Sequence, residues 1–163
     1  PAAAPVIKET AEALGHYYVD IRWLGGTITN VDVIRKRITH WHDLTSKKES
    51  GELGKYTKQE QMLLQKEMDR LDRSLHGLAT YTTMPKAMFV VDPSEEDNAV
   101  KEARLKGIPV IALLNTDCDP RGITYPIPGN DNASESIRAV LEKVKAAYIR
   151  GQKSAAESAT HGD

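Results

Sequence analysis

Two apolar runs constrain the fold of this chain more than any other feature: residues 87–91, which Asp92 follows, and residues 108–114. Runs of this kind are typical of parallel strands that are covered on both faces, so the first is predicted to be a central strand. Between them we predict a helix that Ser94 caps, that carries its acidic residues in the first turn and that stops at Gly107. A strand, a helix and a second strand in this length form a right-handed crossover unit. The sequence therefore predicts an α/β fold, with an open parallel sheet and flanking helices.

The acidic first turn of that predicted helix consists of Glu95, Glu96 and Asp97. A short edge strand is predicted at residues 125–127, because proline cannot donate to a central ladder. The last predicted helix covers residues 133–150, and beyond Gly151 we expect a frayed, flexible tail.

Residues 31–78 predict two amphipathic helices joined by a loop that contains Gly51 and Gly54. The first helix has the weak capping-box pattern of Thr29 with Asp32, and the second follows a full capping box at residues 57–60. Each helix has an apolar stripe with spacings of three and four. The stripes are Val31, Ile34, Ile38 and Trp41 in the first helix, and Leu64, Met68, Leu71, Leu75 and Leu78 in the second. This pattern predicts an antiparallel coiled-coil hairpin.

These elements divide the chain into three parts. We expect residues 1–30 and 79–151 to form the α/β core, residues 31–78 to form the hairpin and residues 152–163 to form the tail. Residues 16–24, which are rich in β-forming side chains, are expected to be a strand or an extended segment that ends at a glycine pair.

Composition excludes several classes of protein. The 163 residues include 22 basic and 23 acidic side chains, so the net charge of −1 argues against indiscriminate coating of nucleic acid and leaves only local basic patches. A hydrophobic content of 40% is typical of an ordinary core and of neither a disordered nor a membrane protein. Cys118 is the single cysteine, so an internal disulfide is impossible and a reducing compartment is expected.

Residues 22–30 form the most suggestive polar segment, because they join the extended segment to the first hairpin helix. Arg22 offers planar donors for phosphate, Trp23 offers a stacking face, and the glycine pair permits close approach of the main chain. The remaining members of this candidate RNA-binding set are Gly25, Gly26, Thr27, Thr29, Asn30, Arg35, Lys36 and Arg37. On composition alone, a turn needed only for packing is slightly favoured over a ligand contact. If the turn does bind a ligand, we expect RNA phosphate at the helix start, where amides point outward.

Residues 35–37 are basic, and two readings of them are equally weighted. A run of charges on a helix is usually a solvated face, and only two of the three residues share a side. Contact with RNA is the alternative.

Four motifs occur in a fixed order: residues 22–30, 105–110, 115–120 and 127–131. In them the chain resembles the bacterial-type family of small-subunit ribosomal protein two. The resemblance implies a Rossmann-like core with a projecting hairpin, in a structural component of the small ribosomal subunit that supports translation. It also implies contacts with ribosomal RNA and neighbouring ribosomal proteins, with no catalytic residue, cofactor, metal or membrane. Family members help to place small-subunit protein one, a further possible partner.

The chain departs from that family pattern in two places. The family has a further N-terminal segment with a strand and an RNA-binding stretch. We therefore expect the core of this chain to be incomplete and the missing part to come from elsewhere, for example from a separate polypeptide. Residues 76–85 lack the Gly-Gly-Ile-Lys-Asp-Met-like connection of the family. In addition, the sequence of residues 123–128 resembles that of alphaproteobacterial members of the family. Together, these two observations favour a ribosome of the mitochondrial matrix over one of the bacterial cytoplasm.

Two other classes of function remain as alternatives. Asp92, Asp117 and Asp119 follow predicted strands at the edge where open sheets bind ligands, which is the pattern of a magnesium-dependent enzyme. The hairpin alone would also fit an adaptor that binds only proteins. A metal site built on histidine is not indicated, because the five histidines are scattered at His16, His40, His42, His76 and His161.

Overall fold

The computed structural model describes residues 2–160 and contains a three-stranded parallel sheet with helices on both faces. The strands β1 (Met88–Val91), β2 (Val110–Leu114) and β3 (Tyr125–Pro128) lie in the order β1-β2-β3. Met88 is opposite Val110, and Ile111 is opposite Tyr125. The predicted parallel α/β sheet is confirmed, and β3 is the predicted edge strand. Within the described residues β1 is also an edge strand, whereas it was predicted to be central.

Five α-helices and two short 3₁₀ turns surround this sheet in the described part of the chain. The helices are α1 (Ala4–Leu14), α2 (Val31–Glu49), α3 (Lys58–Leu75), α4 (Asp97–Leu105) and α5 (Ser134–Thr160), and the 3₁₀ turns are Glu52–Lys55 and His76–Leu78.

The alternation of side chains along the strands creates two cores. On one face Val90 and Ala112 pack with Ala103 of α4 and with Ile28 from the turn before α2. On the other face, the fully buried Leu113 packs with residues of α1 and α5. The domain therefore has three layers, with α4 on one side of the sheet and α1 and α5 on the other.

The helices α2 and α3 pack against each other through their predicted apolar stripes. Ile34 and Ile38 in the first half of α2 share a buried cluster with Leu75, the last residue of α3, and with Leu78 of the 3₁₀ turn that follows it. The start of one helix therefore lies beside the end of the other, which makes the pair antiparallel. Tyr81 closes the cluster at the base of the pair.

The segment of residues 16–24 is extended but forms no β-strand, and the base of the hairpin holds it in place. The amide of Tyr18 donates to the carbonyl of Gly77 at 3.0 Å. A Cβ atom at Gly77 would lie 2.2 Å from the Tyr18 carbonyl oxygen, so the contact requires glycine. Nearby, His76 Nε2 lies 3.1 Å from Asp20 Oδ1. The stretch that departs from the family pattern thus attaches the hairpin to the N-terminal segment.

The predicted start of the crossover helix is wrong. Helix α4 begins at Asp97, and Ser94 does not cap it. The hydroxyl of Ser94 instead donates to Asp92 Oδ1 at 2.8 Å, in a turn where Asp92 has a φ of 56°. Side-chain bonding of this kind stabilises a turn in competition with the helix, and the helix starts two residues later than predicted.

The predicted end of the last helix at Arg150 is also wrong, because α5 continues to Thr160. Gly151 interrupts a sequence that is otherwise rich in good helix formers, and one glycine costs a helix only about 1 kcal/mol. Residues 161–163 of the predicted tail lie outside the described residues.

Candidate nucleic-acid interface

The turn before α2 is built around one carboxylate, which Glu102 of α4 contributes. Its Oε1 atom accepts hydrogen bonds from the Gly26 amide at 2.7 Å and from Trp23 Nε1 at 3.1 Å. Its Oε2 atom accepts from the amides of Ile28 at 2.9 Å and Thr29 at 3.0 Å, and from the Thr29 hydroxyl at 3.0 Å. Two oxygen atoms thus satisfy five donors of the turn.

These donors keep Glu102 charged although the side chain is only 8% exposed. Burial by itself raises the pKa of this carboxyl group, since it disfavours the charged form. Hydrogen bonds from the amides of Thr29, Gly26 and Ile28 and from the Trp23 indole outweigh that effect and lower the pKa below its usual value. The turn is therefore an anion-binding loop whose anion is part of the protein.

The prediction that the amides of this turn point outward is consequently wrong. The amides of Gly26, Ile28 and Thr29 point inward to Glu102, so they are not available to a phosphate. The sequence contains one signal for this arrangement. Glu102 lies beside Ala99 and Ala103 in the buried stripe of α4, where an acidic residue needs buried partners.

Other members of the predicted site also have structural partners. Thr27 is buried, and its hydroxyl donates to the Leu24 carbonyl at 2.6 Å. Gly26 has a φ of 92°, which favours glycine, whereas a Cβ atom at Gly25 would meet nothing within 4 Å. Only Gly26 of the pair therefore needs to be glycine for conformational reasons.

Arg22, Gly25 and Asn30 are the exposed members of the turn. Arg22 lines a shallow groove of about 320 Å³ together with Glu95 and Glu96. Burial, followed by the charges of Asp92 and Glu95, raises the pKa of Glu96. These acidic neighbours reduce the attraction of Arg22 for a phosphate.

The basic residues at the start of α2 divide into two kinds. Arg35 donates to the carbonyl of Thr82 and lies 3.9 Å from Asp32 Oδ1, so it has partners inside the protein. Lys36 and Arg37 are exposed and make no ion pair with any described residue. Lys36 lines a groove of about 450 Å³ on the outer side of α2, together with Asp32, Arg35 and Thr39.

The aspartates of the alternative magnesium site are dispersed among local contacts. Asp92 accepts from Ser94, and Asp119 forms a salt bridge with Arg121 at 2.6 Å, while Asp117 is exposed. Residues 2–160 contain no group of three His, Cys, Asp or Glu side chains that is close enough to hold a metal ion. Nor is any helix of this part of the chain long and apolar enough to cross a membrane.

Fold and surface together define an α/β protein that carries a helical pair with unpaired cations. The model of the family described as Ribosomal protein S2 matches residues 1–151, and the chain belongs to this family.

Similar bacterial proteins share the name "Small ribosomal subunit protein uS2". The protein from Roseiflexus sp. (strain RS-1) is 45% identical over 150 residues, which is 92% of this chain and 57% of that protein. The protein from Rhodopseudomonas palustris (strain BisA53) is 43% identical over 149 residues, covering 91% and 45% of the two chains. The protein from Paramagnetospirillum magneticum (strain ATCC 700264 / AMB-1) is 41% identical over 157 residues, covering 91% and 59%. The chain thus spans roughly half the length of these relatives.

Proposed function

We propose that this chain is a structural, non-catalytic part of a small ribosomal subunit, where it binds ribosomal RNA and neighbouring ribosomal proteins. Its family membership and the names of its relatives support this function. Because those relatives are bacterial, they favour a ribosome of the bacterial cytoplasm and do not support the predicted mitochondrial location. They also give no support to a separate polypeptide that supplies an N-terminal part.

The contact with RNA is assigned mainly to Lys36 and Arg37. The observation that carries this assignment is that both cations are exposed on α2 and lack an acidic partner among the described residues. Cations of this kind bind phosphate without first breaking an ion pair. Arg22, Gly25 and Asn30 add a smaller contribution from the exposed side of the turn.

The other predicted site residues shape this surface from within. Trp23, Gly26 and Thr29 bind Glu102, Thr27 closes the turn, and Arg35 fixes the start of α2 to Thr82. Their role in RNA binding is therefore to position the exposed groups.

Residues 31–78 act as a projecting coiled-coil hairpin in this proposal. The heptad-like stripes and the antiparallel packing of α2 and α3 support it. The core of residues 1–30 and 79–151 would then anchor the hairpin.

The test is incorporation into small subunits that lack this protein, followed by sedimentation. We expect the double variant K36E/R37E to be incorporated at least about tenfold less than the unchanged chain. Arg22→Glu should reduce incorporation by a smaller factor. The matched control is K8E/K143E, which makes the same charge change at exposed positions on the α1 and α5 side. Equal incorporation of all variants contradicts the assignment to α2, and failure of the unchanged chain to sediment with the subunit contradicts the proposed function.

A further inference from the structure

A second group of cations lies at the edge of the sheet where the strands begin. Helix α4 runs against the strand direction, so Arg104 and Lys106 at its end reach this edge. Lys86 precedes β1 and Arg121 precedes β3 by a few residues, and the strand starts are level in the register. We call these four residues, together with the exposed side chains of Leu105 and Tyr125, the basic edge.

The side chains of the basic edge are accessible. Leu105 is 78% exposed and Tyr125 is 61% exposed. Lys86, Arg104 and Lys106 are exposed and form no ion pair with the described residues, while Arg121 pairs with Asp119. Three of the four cations are therefore available to an external anion.

One glycine shapes this surface. Gly122 has a φ of 95°, and a Cβ atom there would lie 2.8 Å from Arg104 Nη1. The Arg104 side chain therefore lies across the main chain at Gly122. This contact holds the Arg104 guanidinium group against Gly122, which precedes Tyr125, the first residue of β3, by three residues.

The opposite edge of the sheet has the opposite charge. Five exposed or partly buried acidic residues come soon after β1 and β2: Asp92, Glu95, Glu96, Asp97 and Asp117. Asp119, further along the chain after β2, pairs with Arg121. Although the net charge is small, the charges are unevenly distributed: acidic residues lie where the strands end, and basic residues lie where they begin. Such a field repels a polyanion from one edge and attracts it to the other.

We propose that the basic edge binds the phosphate backbone of a second RNA segment, and that the Tyr125 ring stacks on an unpaired base. Arginine and lysine beside an exposed aromatic ring are the combination that binds single-stranded RNA, because the cations contact phosphates and the ring contacts a base. The inference rests on the proposed function and adds a surface separate from α2. The core then contacts RNA at its strand-start edge while the hairpin contacts RNA through α2.

The experiment measures binding of the whole chain to a transcript of bacterial small-subunit ribosomal RNA at several KCl concentrations. The variant is R104E/K106E, and the control is again K8E/K143E. Each phosphate contact adds roughly 0.7 to 0.9 to the log–log salt slope, so loss of two contacts lowers the slope by about 1.5. We also expect the dissociation constant to rise at least about tenfold, with an unchanged thermal unfolding midpoint.

Tyr125 provides a separate readout of stacking. Tyr125→Ala weakens binding by about fivefold or more, because a base loses its aromatic partner, and leaves the salt slope unchanged. Tyr125→Phe keeps the ring and is expected to bind as the unchanged chain does. Loss of binding in the Phe variant contradicts stacking.

The outcomes separate this inference from the proposed function. If the unchanged chain binds the transcript and R104E/K106E has the affinity and slope of the control, the basic edge is not an RNA surface, while the proposed function stands. If the unchanged chain does not bind the transcript at all, the inference is overturned, while sedimentation with the subunit still decides the proposed function.

Discussion

Two helices of this protein follow capping-box patterns, a weak one before α2 and a full one before α3, but they begin in different ways. At α3, the amide of Glu60 donates to the Thr57 hydroxyl at 3.3 Å, and the Glu60 carboxylate accepts from the Thr57 amide at 2.8 Å. At α2, Thr29 is paired in sequence with Asp32, yet Asn30 is the capping position and its side chain makes no capping bond. The donors of this second start bind Glu102, 73 residues away from Thr29.

The difference teaches that a capping pattern is decisive only where no distant group competes for its donors. Thr57 lies at the exposed tip of the hairpin, where the local carboxylate is the nearest acceptor. Thr29 lies against α4, where a buried carboxylate offers a stronger acceptor than a solvated Asp32. The following substitutions test this contrast, from the largest expected effect to the smallest.

Removal of the distant carboxylate has the largest effect. Glu102→Ala leaves the buried amides of the turn without an acceptor, and we expect it to lower the free energy of unfolding by about 4 kcal/mol. Urea denaturation followed by circular dichroism measures this loss. Glu102→Gln keeps one acceptor oxygen and should lose about half as much. A change below about 1 kcal/mol for Glu102→Ala would show that the turn does not depend on the carboxylate.

Gly77→Ala should have the second largest effect. It tests the contact between Gly77 and Tyr18, which attaches the N-terminal segment to the hairpin. The added Cβ atom would lie 2.2 Å from the Tyr18 carbonyl oxygen, so the main chain must move. We expect a loss of about 2 to 3 kcal/mol in the same denaturation assay. Gly54→Ala is the matched control, because a Cβ atom there meets nothing within 4 Å. Equal stability of the two variants contradicts the contact between Gly77 and Tyr18.

Thr57→Ala removes the hydroxyl of the local capping box. A capping residue of this type contributes about 1 kcal/mol, so the free energy of unfolding should fall by that amount. Hydrogen exchange of the Glu60 amide should quicken in the variant, since its acceptor is gone. Protection that stays the same at this amide would show that the box is not populated in solution.

Asp32→Ala should have the smallest effect. If Asp32 were part of a capping box, its loss would cost as much as the loss of Thr57. Because no such bond forms, we expect the free energy of unfolding to change by less than about 0.5 kcal/mol. A loss near 1 kcal/mol would mean that the two helix starts are alike.

The sequence was sufficient for the features that depend on local pattern. The apolar runs predicted β1 and β2, and the stripe ending at Leu78 predicted the packing of α2 with α3. The partners of the polar groups could not be predicted in this way. Nothing near Gly26 in sequence shows that an acidic residue on α4 turns its amide inward. Likewise, serine is a residue type that often caps helices, and only the hydrogen bond from Ser94 to Asp92 shows that Ser94 belongs to a turn before the helix.

The most direct measurement is an acid titration of the amide proton shifts of Gly26, Ile28 and Thr29 by NMR. The hydrogen bonds lower the pKa of Glu102, so the stability it contributes is present above the unfolded pKa of about 4.5 and is lost as the pH falls through the lower folded value. The three amide shifts should therefore move together with one midpoint below pH 4.5, and this step should be absent in Glu102→Gln. If the three amide shifts do not change with acid but do change at neutral pH when a ribosomal RNA fragment is added, the Glu102 carboxylate is not the partner of these amides.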